Sequence, residues 1–276
     1  MSDEIVSAHY ARGGLLAAIS NGVARLGKTP ATLMVEDLAP VDEFHIGGRQ
    51  ASEDFLDQLA LTPDQRVLDV GCGLGGSARF AATHYGCHIT GIDLTEEYVT
   101  TGQVMSDWVG LGDRVSLHQG SALATPFEAG TFDGAYMLHV GMNIADKRRL
   151  CAEVHRVLRP GACFGIYDVM RTGEGELAYP VPWAATPETS AVGSVNDYRV
   201  ALRAANFAIA AERNRRDFAR EFFQKLKANT TGASGPAPLG LHILMGDTMP
   251  HKIANMVASI ASGTLAPVEI VARKAA

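Results

Sequence analysis

Three glycines and two aspartates carry the first chemistry visible in this chain. Gly71, Gly73 and Gly75 follow a short apolar run, Val67, Leu68 and Val70, with Asp69 set inside that run and Asp93 ending the next one. An apolar run that stops abruptly in glycine reads as a buried strand entering a tight turn. Lacking Cβ atoms, the backbone there reaches positive φ angles and can lie directly against a ligand. Ala78, Phe80, Ala81 and Ala82 then open a helical pattern, so the turn faces the N–H groups and positive dipole end of a helix. Such a bend suits a nucleotide-type cofactor. Gly71, Gly73 and Gly76 also satisfy G-x-G-x-x-G, and Asp93 lies about where a dinucleotide fold keeps its ribose carboxylate. These residues alone leave the cofactor open.

Asp69 weighs against a nicotinamide dinucleotide. It stands two residues before the first glycine, where the dinucleotide pattern holds an apolar residue. A carboxylate buried there needs a cationic or hydrogen-bonding partner and sits badly beside a pyrophosphate. The turn itself contains no lysine or arginine. A carrier with an amino group, a sulfonium charge and a ribose, but no phosphate, suits both facts: Asp69 for its cationic amino-acid end, Asp93 for its ribose hydroxyls. An NAD(P)-dependent oxidoreductase and a cofactor-binding protein without catalysis are the alternatives.

The elements that must position these residues follow a regular alternation. Strand patterns occur at Val67–Val70, His88–Asp93, Val115–His118, Phe132–Leu138 and Cys163–Val169, with helical patterns at Ala78–Tyr85, Glu96–Val109 and Asp146–Leu158. Strand, helix, strand in series predicts parallel strands with right-handed crossovers, a doubly wound α/β sheet covered on both faces. Ligands in such sheets bind beyond the carboxyl ends of the strands. Phe207–Ala211 and Val268–Ala272 read as two further strands. Ahead of the sheet, Leu15, Leu16, Ile19, Val23 and Leu26 have helical spacing, whereas Leu33 to Pro40 reads as irregular. The expected organisation is an N-terminal helical cap over residues 1–60 and a catalytic domain over 61–276, with a helical insertion at about 216–262 and a flexible Thr230–Pro238 stretch inside it.

Bulk properties narrow the partners. A chain of 276 residues, 47% hydrophobic and 20% charged, can bury a sizeable core and is neither disordered nor fibrous. Its net charge of −6, with no compensating basic block, argues against nucleic acid. No apolar stretch is long enough to span a membrane. Cys72, Cys87, Cys151 and Cys163 form no C-x-x-C pair, so reduced thiols and a cytoplasmic location are expected. The nine histidines show no metal-ligand spacing. Oligomeric state is left open.

Five motifs together resemble one family: V-L-D-V-G-C-G-L-G-G-S at Val67–Ser77, G-I-D-L at Gly91–Leu94, P-F at Pro126–Phe127, F-D-G-A-Y at Phe132–Tyr136 and L-R-P-G at Leu158–Gly161. In order and spacing they are similar to the class I S-adenosylmethionine-dependent methyltransferases. F-H-I-G-G at Phe44–Gly48 and Y-P-V-P-W-A at Tyr179–Ala184 further resemble the small-molecule subgroup that includes the tocopherol, ubiquinone/menaquinone-type and sarcosine/dimethylglycine methyltransferases. The resemblance implies a seven-stranded Rossmann-like sheet whose last strand runs antiparallel. It implies S-adenosyl-L-methionine as methyl donor, S-adenosyl-L-homocysteine as product and a small-molecule acceptor methylated at N, O or an aromatic carbon. It places the methionine portion at Asp69, Gly71, Cys72 and Gly73, ribose and adenine at Asp93 and Leu94, the adenine edge at Ser121 and Ala122, and the sulfonium beside Leu138 and His139. Many relatives have an aspartate where Ser121 stands, so a hydroxyl or a backbone carbonyl must serve the adenine amino group here.

A sulfonium activates its own methyl group, leaving the protein to align a nucleophile and exclude water. Where the acceptor loses a proton, a base helps. His139, at the end of a central strand, is the first candidate and His45 the second. The acceptor pocket is expected to be lined by Tyr10, Phe44, Met142, Trp183 and residues of the insertion.

Overall fold

The protein is described from a computed structural model, which covers residues 3–230 and 235–275. Four helices precede the sheet: α1 (Asp3–Tyr10), α2 (Leu15–Arg25), α3 (Val35–Asp42) and α4 (Gly48–Leu56). Helix α3 occupies part of the stretch expected to be irregular, with Pro40 inside it. Local chemistry explains the difference. Asp37 Oδ2 accepts from the Met34 N–H at 2.8 Å, capping the helix start and placing a carboxylate at its positive end. Val35, Leu38 and Val41 then bury one face.

The sheet alternates with helices through β1 (Arg66–Val70), α5 (Gly76–Tyr85), β2 (His88–Asp93), α6 (Glu96–Trp108), β3 (Val115–Gln119), β4 (Phe132–Leu138), α7 (Lys147–Val157) and β5 (Leu158–Arg171). It closes with α8 (Val195–Ala204), β6 (Phe207–Asn214), α9 (Arg216–Thr230), α10 (His242–Met245), α11 (Met249–Ser262) and β7 (Leu265–Lys274). Spatial order is β3-β2-β1-β4-β5-β7-β6, the first five parallel and β7 antiparallel to both neighbours. All seven expected strands form. The expected Thr230–Pro238 stretch lies partly outside the described residues.

Side chains alternate across the sheet. Leu68 and Val70 join Phe132, Met137, Leu150, Val154 and Tyr198 on one face, whereas Val67 joins Phe55, Phe80, Ile89 and Tyr136 on the other. Asp69 shares the face of Val67 and pairs in register with Tyr136. A third cluster joins Leu15, Ile19 and Val23 of α2 to Leu38, Leu74 and Tyr98. That contact brings the N-terminal helices onto the carboxyl ends of the strands. No helix among the described residues is long and apolar enough to cross a membrane.

Candidate active site

A cavity of about 220 Å³ opens over the carboxyl ends of β1, β2 and β4. Asp69, Gly71, Cys72, Gly73, Asp93, Leu94, Ser121, Ala122, Leu138, His139 and His45 all line it, so the structure brings the predicted donor-site residues and both histidines to one cavity. The bend is built as its glycines require. Gly71, Gly73 and Gly75 have φ of 74°, 53° and 78°. A Cβ on Gly71 would stand 2.4 Å from the Val140 methyls. The Gly71 and Cys72 N–H groups both donate to Ile92 O, at 2.8 and 3.1 Å, tying the bend to β2.

The two aspartates differ in how far they are satisfied. Asp93 accepts from the Gly73 N–H at 3.0 Å and the Thr95 N–H at 2.9 Å, which fixes the tip of β2 against the bend. Asp69 is 2% exposed and its Oδ2 makes no hydrogen bond of normal geometry. Burial pushes its carboxyl up to about 8, only partly offset by the Tyr136 hydroxyl beside it. Glu269 pairs with Arg215 and Arg213 and Asp42 with Arg79, while the fully buried Asp168 accepts from the Tyr198 hydroxyl and the Val169 N–H. Among the described residues Asp69 has no cationic partner. Cys72 is a shielded thiol whose pKa burial drives well up, so it contributes surface rather than reactivity. The Ser121 hydroxyl accepts from the Leu123 N–H at 3.3 Å and so helps shape its own loop.

His139 is held from both sides. Its Nδ1 lies 3.2 Å from Tyr167 O, and its Nε2 accepts from the Ile46 N–H at 3.3 Å. A carbonyl only accepts and an amide only donates, so the ring is neutral with both nitrogens engaged. Burial and the neighbouring His45 push its pKa down to about 3. Tyr167 donates to Ile46 O at 2.9 Å, so the Phe44–Gly48 loop is pinned at Ile46 through both backbone groups. The expected role of His139 as proton acceptor thus meets an obstacle: its one lone pair already serves the loop. His45 is placed differently, with Nε2 3.1 Å from Gly48 O and 3.1 Å from Ser52 Oγ, and its pKa lowered by burial to about 4.

The far end of the cavity comes from segments distant in sequence. Asp3, Val6 and Tyr10 line it from one face of α1, Phe44 from the loop before α4, Asn143 and Ile144 from the segment after β4, and Leu244 from α10. Met142 and Trp183, expected here, lie elsewhere. Both pack in a separate apolar cluster with Ile46, Val181, Met256 and Ile260, where Trp183 Nε1 donates to Ser190 Oγ at 2.9 Å. Aromatic residues beside prolines gave no signal distinguishing a pocket wall from a core under a long loop. Conversely, Glu43, Ser52, Asn143 and Leu244 were not singled out. Glu43 and His45 share an i, i+2 spacing, but their meeting with Ser52 depends on how the loop turns into α4. Among the described residues the only side chains of Asp, Glu, Lys or Arg type on the cavity wall are aspartates: Asp3, Asp42, Asp69, Asp93 and Asp146.

Sheet order, antiparallel β7 and a glycine bend between two strand-tip carboxylates define a Rossmann-like cofactor-binding protein. Residues 67–161 match the family model described as "Methyltransferase domain". Over that segment and in its fold the chain is similar to the S-adenosylmethionine-dependent methyltransferases. It is similar to sterol 24-C-methyltransferase ERG6B of Gibberella zeae, 33% identical over 114 residues that cover 41% of this chain and 30% of that protein. It is also similar to the Oryza sativa subsp. japonica protein named "Probable tocopherol O-methyltransferase, chloroplastic", 42% identical over 96 residues, 35% of this chain and 26% of that one. The matched segments thus span about a third of these relatives' length. In fold, the chain superposes on geranyl diphosphate C-methyltransferase of Streptomyces coelicolor A3(2) with a TM-score of 0.70, covering 99% of this chain and 97% of that one at 17% identity.

Proposed function

We propose that this protein transfers a methyl group from S-adenosylmethionine to an uncharged or cationic small molecule, at nitrogen, oxygen or an aromatic carbon. The observation that carries the reading is Asp69, a buried carboxylate with an unbonded oxygen at the cavity wall, one strand away from Asp93 and over a glycine bend. The bound donor supplies a methyl group already activated by its sulfonium. Asp69 holds the ammonium of its amino-acid end, Asp93 the ribose hydroxyls, Leu94, Ser121 and Ala122 the adenine, and Leu138 lies along the sulfur. The α1 and Phe44 segments exclude water and shape the acceptor end. Asp3 and Asp146 add negative charge to the same wall, whereas that of Asp42 is offset by Arg79, and the balance disfavours an anionic acceptor. His45 is the side chain best placed to take a proton from the acceptor. Residues 1–60 serve as the cap, the remainder as the catalytic domain. Four free buried thiols fit a reducing, cytoplasmic setting.

Calorimetry on the purified protein tests this. S-adenosylhomocysteine is expected to bind with micromolar or better affinity and NADPH not at all. The reverse pattern would replace a methyltransferase with an oxidoreductase. A panel of amines, phenols and alcohols with isotope-labelled donor, read by mass spectrometry, then identifies the acceptor.

A further inference from the structure

We propose that Glu43 and Ser52 are positioning residues that hold His45 in the tautomer able to take the acceptor's proton, its Nδ1 directed to the methyl-acceptor end of the cavity. The inference deepens the methyltransferase reading and rests on it.

The hydrogen bonds leave one assignment. Gly48 O, 3.1 Å from His45 Nε2, is a carbonyl and only accepts. Ser52 Oγ, also 3.1 Å from Nε2, spends its single proton on Glu43 Oε2 at 2.7 Å, so towards the ring it accepts as well. Nε2 therefore carries the proton and Nδ1 the lone pair. Among the described residues no hydrogen bond engages Nδ1, and it is not counted with the sealed-off polar atoms, while His45 lines the cavity. The neighbouring ring offers no such lone pair, because His139 spends both nitrogens on Tyr167 and Ile46.

The chain keeps a carboxylate behind this ring at some cost. Glu43 is 3% exposed and Ser52 fully buried. Glu43 Oε2 stands 3.4 Å from His45 Nε2, and its Oε1 stands 2.7 Å from Arg49 Nε, whose guanidinium lies over Phe80 at 4.4 Å. A carboxyl group, a hydroxyl and an imidazole in that order orient the ring, and burial raises the Glu43 carboxyl to about 7. The groups facing His45 are Glu43 and Gly48 from its own segment, Arg49 and Ser52 from α4, His139 after β4, and Tyr167 from β5, edge-on with its ring centroid at 6.3 Å. Arg49 is the opposing cation, and Glu43 stands between its charge and the ring's. In the step itself the acceptor's N–H or O–H bond breaks, the electron pair stays on the acceptor atom, and a new N–H bond forms at Nδ1. Solvent later removes that proton.

Long-range proton–nitrogen correlation spectra of 15N-histidine-labelled full-length protein, alone and with S-adenosylhomocysteine, test the arrangement. His45 is expected as the Nε2–H tautomer, with Ser52→Ala and Glu43→Gln each shifting it towards a mixture. Thermal melting shows which variants fold, and Ser52→Ala keeps the test alive if Glu43→Gln does not. With an acceptor in hand, His45→Gln should slow transfer about 100-fold and Ser52→Ala about tenfold, with the acid limb of the pH profile displaced in Ser52→Ala. Affinity for S-adenosylhomocysteine should stay within about twofold of wild type, as loss of a group outside the donor end predicts. An Nδ1–H tautomer in the wild type, spectra unaltered in a folded variant, or undiminished transfer in His45→Gln would overturn the proposal. Failure of the wild type to bind S-adenosylhomocysteine would sink the methyltransferase reading instead, while the spectra without ligand still decide the tautomer.

Discussion

The two ends of the cavity are built on opposite plans. At the donor end, the glycine bend and both aspartates come from one βαβ unit, and the arrangement is left electrostatically incomplete: Asp69 is buried with an unbonded oxygen. At the acceptor end, residues as far apart as Val6, Phe44, Asn143 and Leu244 converge, and several polar groups are engaged within the chain: Tyr10 donates to Asn143 Oδ1, and His139 engages Ile46 and Tyr167. One end waits for a charge; the other supplies shape and a single directed lone pair. A rule follows from the contrast. An unsatisfied buried group marks where a ligand completes the fold, and a satisfied one marks what holds the wall in place.

Asp69→Asn tests the incomplete end and carries the largest expected effect. Losing the carboxylate removes a charge-assisted bond to the donor's ammonium, and affinity for S-adenosylhomocysteine should fall about 100-fold by calorimetry. The ligand-free protein should move the other way. Burial raises the Asp69 carboxyl to about 8, so the folded state holds its proton more tightly than the unfolded chain does. That contribution is complete below about pH 4 and is lost as pH climbs towards 8. At pH 8 the variant should therefore be more stable by on the order of 5 kcal/mol, a rise in melting temperature of roughly 10 °C or more. At pH 4 the two should melt alike. A variant that binds normally, or that melts lower at pH 8, would show that Asp69 already has its partner within the chain.

The same contrast explains what the sequence disclosed. Donor-end residues sit a few positions apart, and the chemistry of the bend, with its positive φ angles and its carboxylate inside an apolar run, is a local matter that spacing records. All seven strands were legible for the same reason, since alternation and length are local signals. Pro40 misled because a proline past the first helical turn reads as a breaker, while the Asp37 cap and three buried apolar residues outweigh it. Acceptor-end residues meet only through tertiary structure. Nothing in the spacing of Trp183 or Met142 separates a cavity wall from a packed cluster, and nothing along the chain shows that the Ile46 amide consumes the lone pair of His139. The order in which we propose the two histidines is consequently the reverse of the one their positions in the sequence suggest.

His139→Asn sharpens that reversal with a smaller effect. His139 has φ of 55°, a left-handed backbone that asparagine tolerates, so the substitution removes the ring without adding strain. The shorter side chain cannot replace the bond to Ile46, and the Phe44–Gly48 loop is left with the Tyr167 hydroxyl alone. Transfer should slow about tenfold, the consequence of losing one hydrogen bond that positions a reacting group. Its pH dependence should keep the wild-type form, because the group that titrates is elsewhere. A lost or displaced acid limb in this variant would return the proton-accepting role to His139.

The smallest effect probes where the acceptor end stops. Tyr10→Phe deletes the hydroxyl that donates to Asn143 at 3.2 Å but leaves α1 anchored, by His9 to Pro182 O and by Glu97, which accepts the N–H groups of Arg12, Gly13 and Leu15. The helix should stay in place with its inner face loosened by about 1 kcal/mol, which raises the acceptor's KM about fivefold without altering affinity for S-adenosylhomocysteine. Trp183→Phe offers the opposite case. It deletes the bond to Ser190 and part of a buried ring, so the melting temperature drops, yet Trp183 lies behind Ile46 in a cluster that does not line the cavity, and KM should hold. If both substitutions raise KM alike, the acceptor end extends beneath the loop between β5 and α8. If only Tyr10→Phe does, α1 is its outer wall.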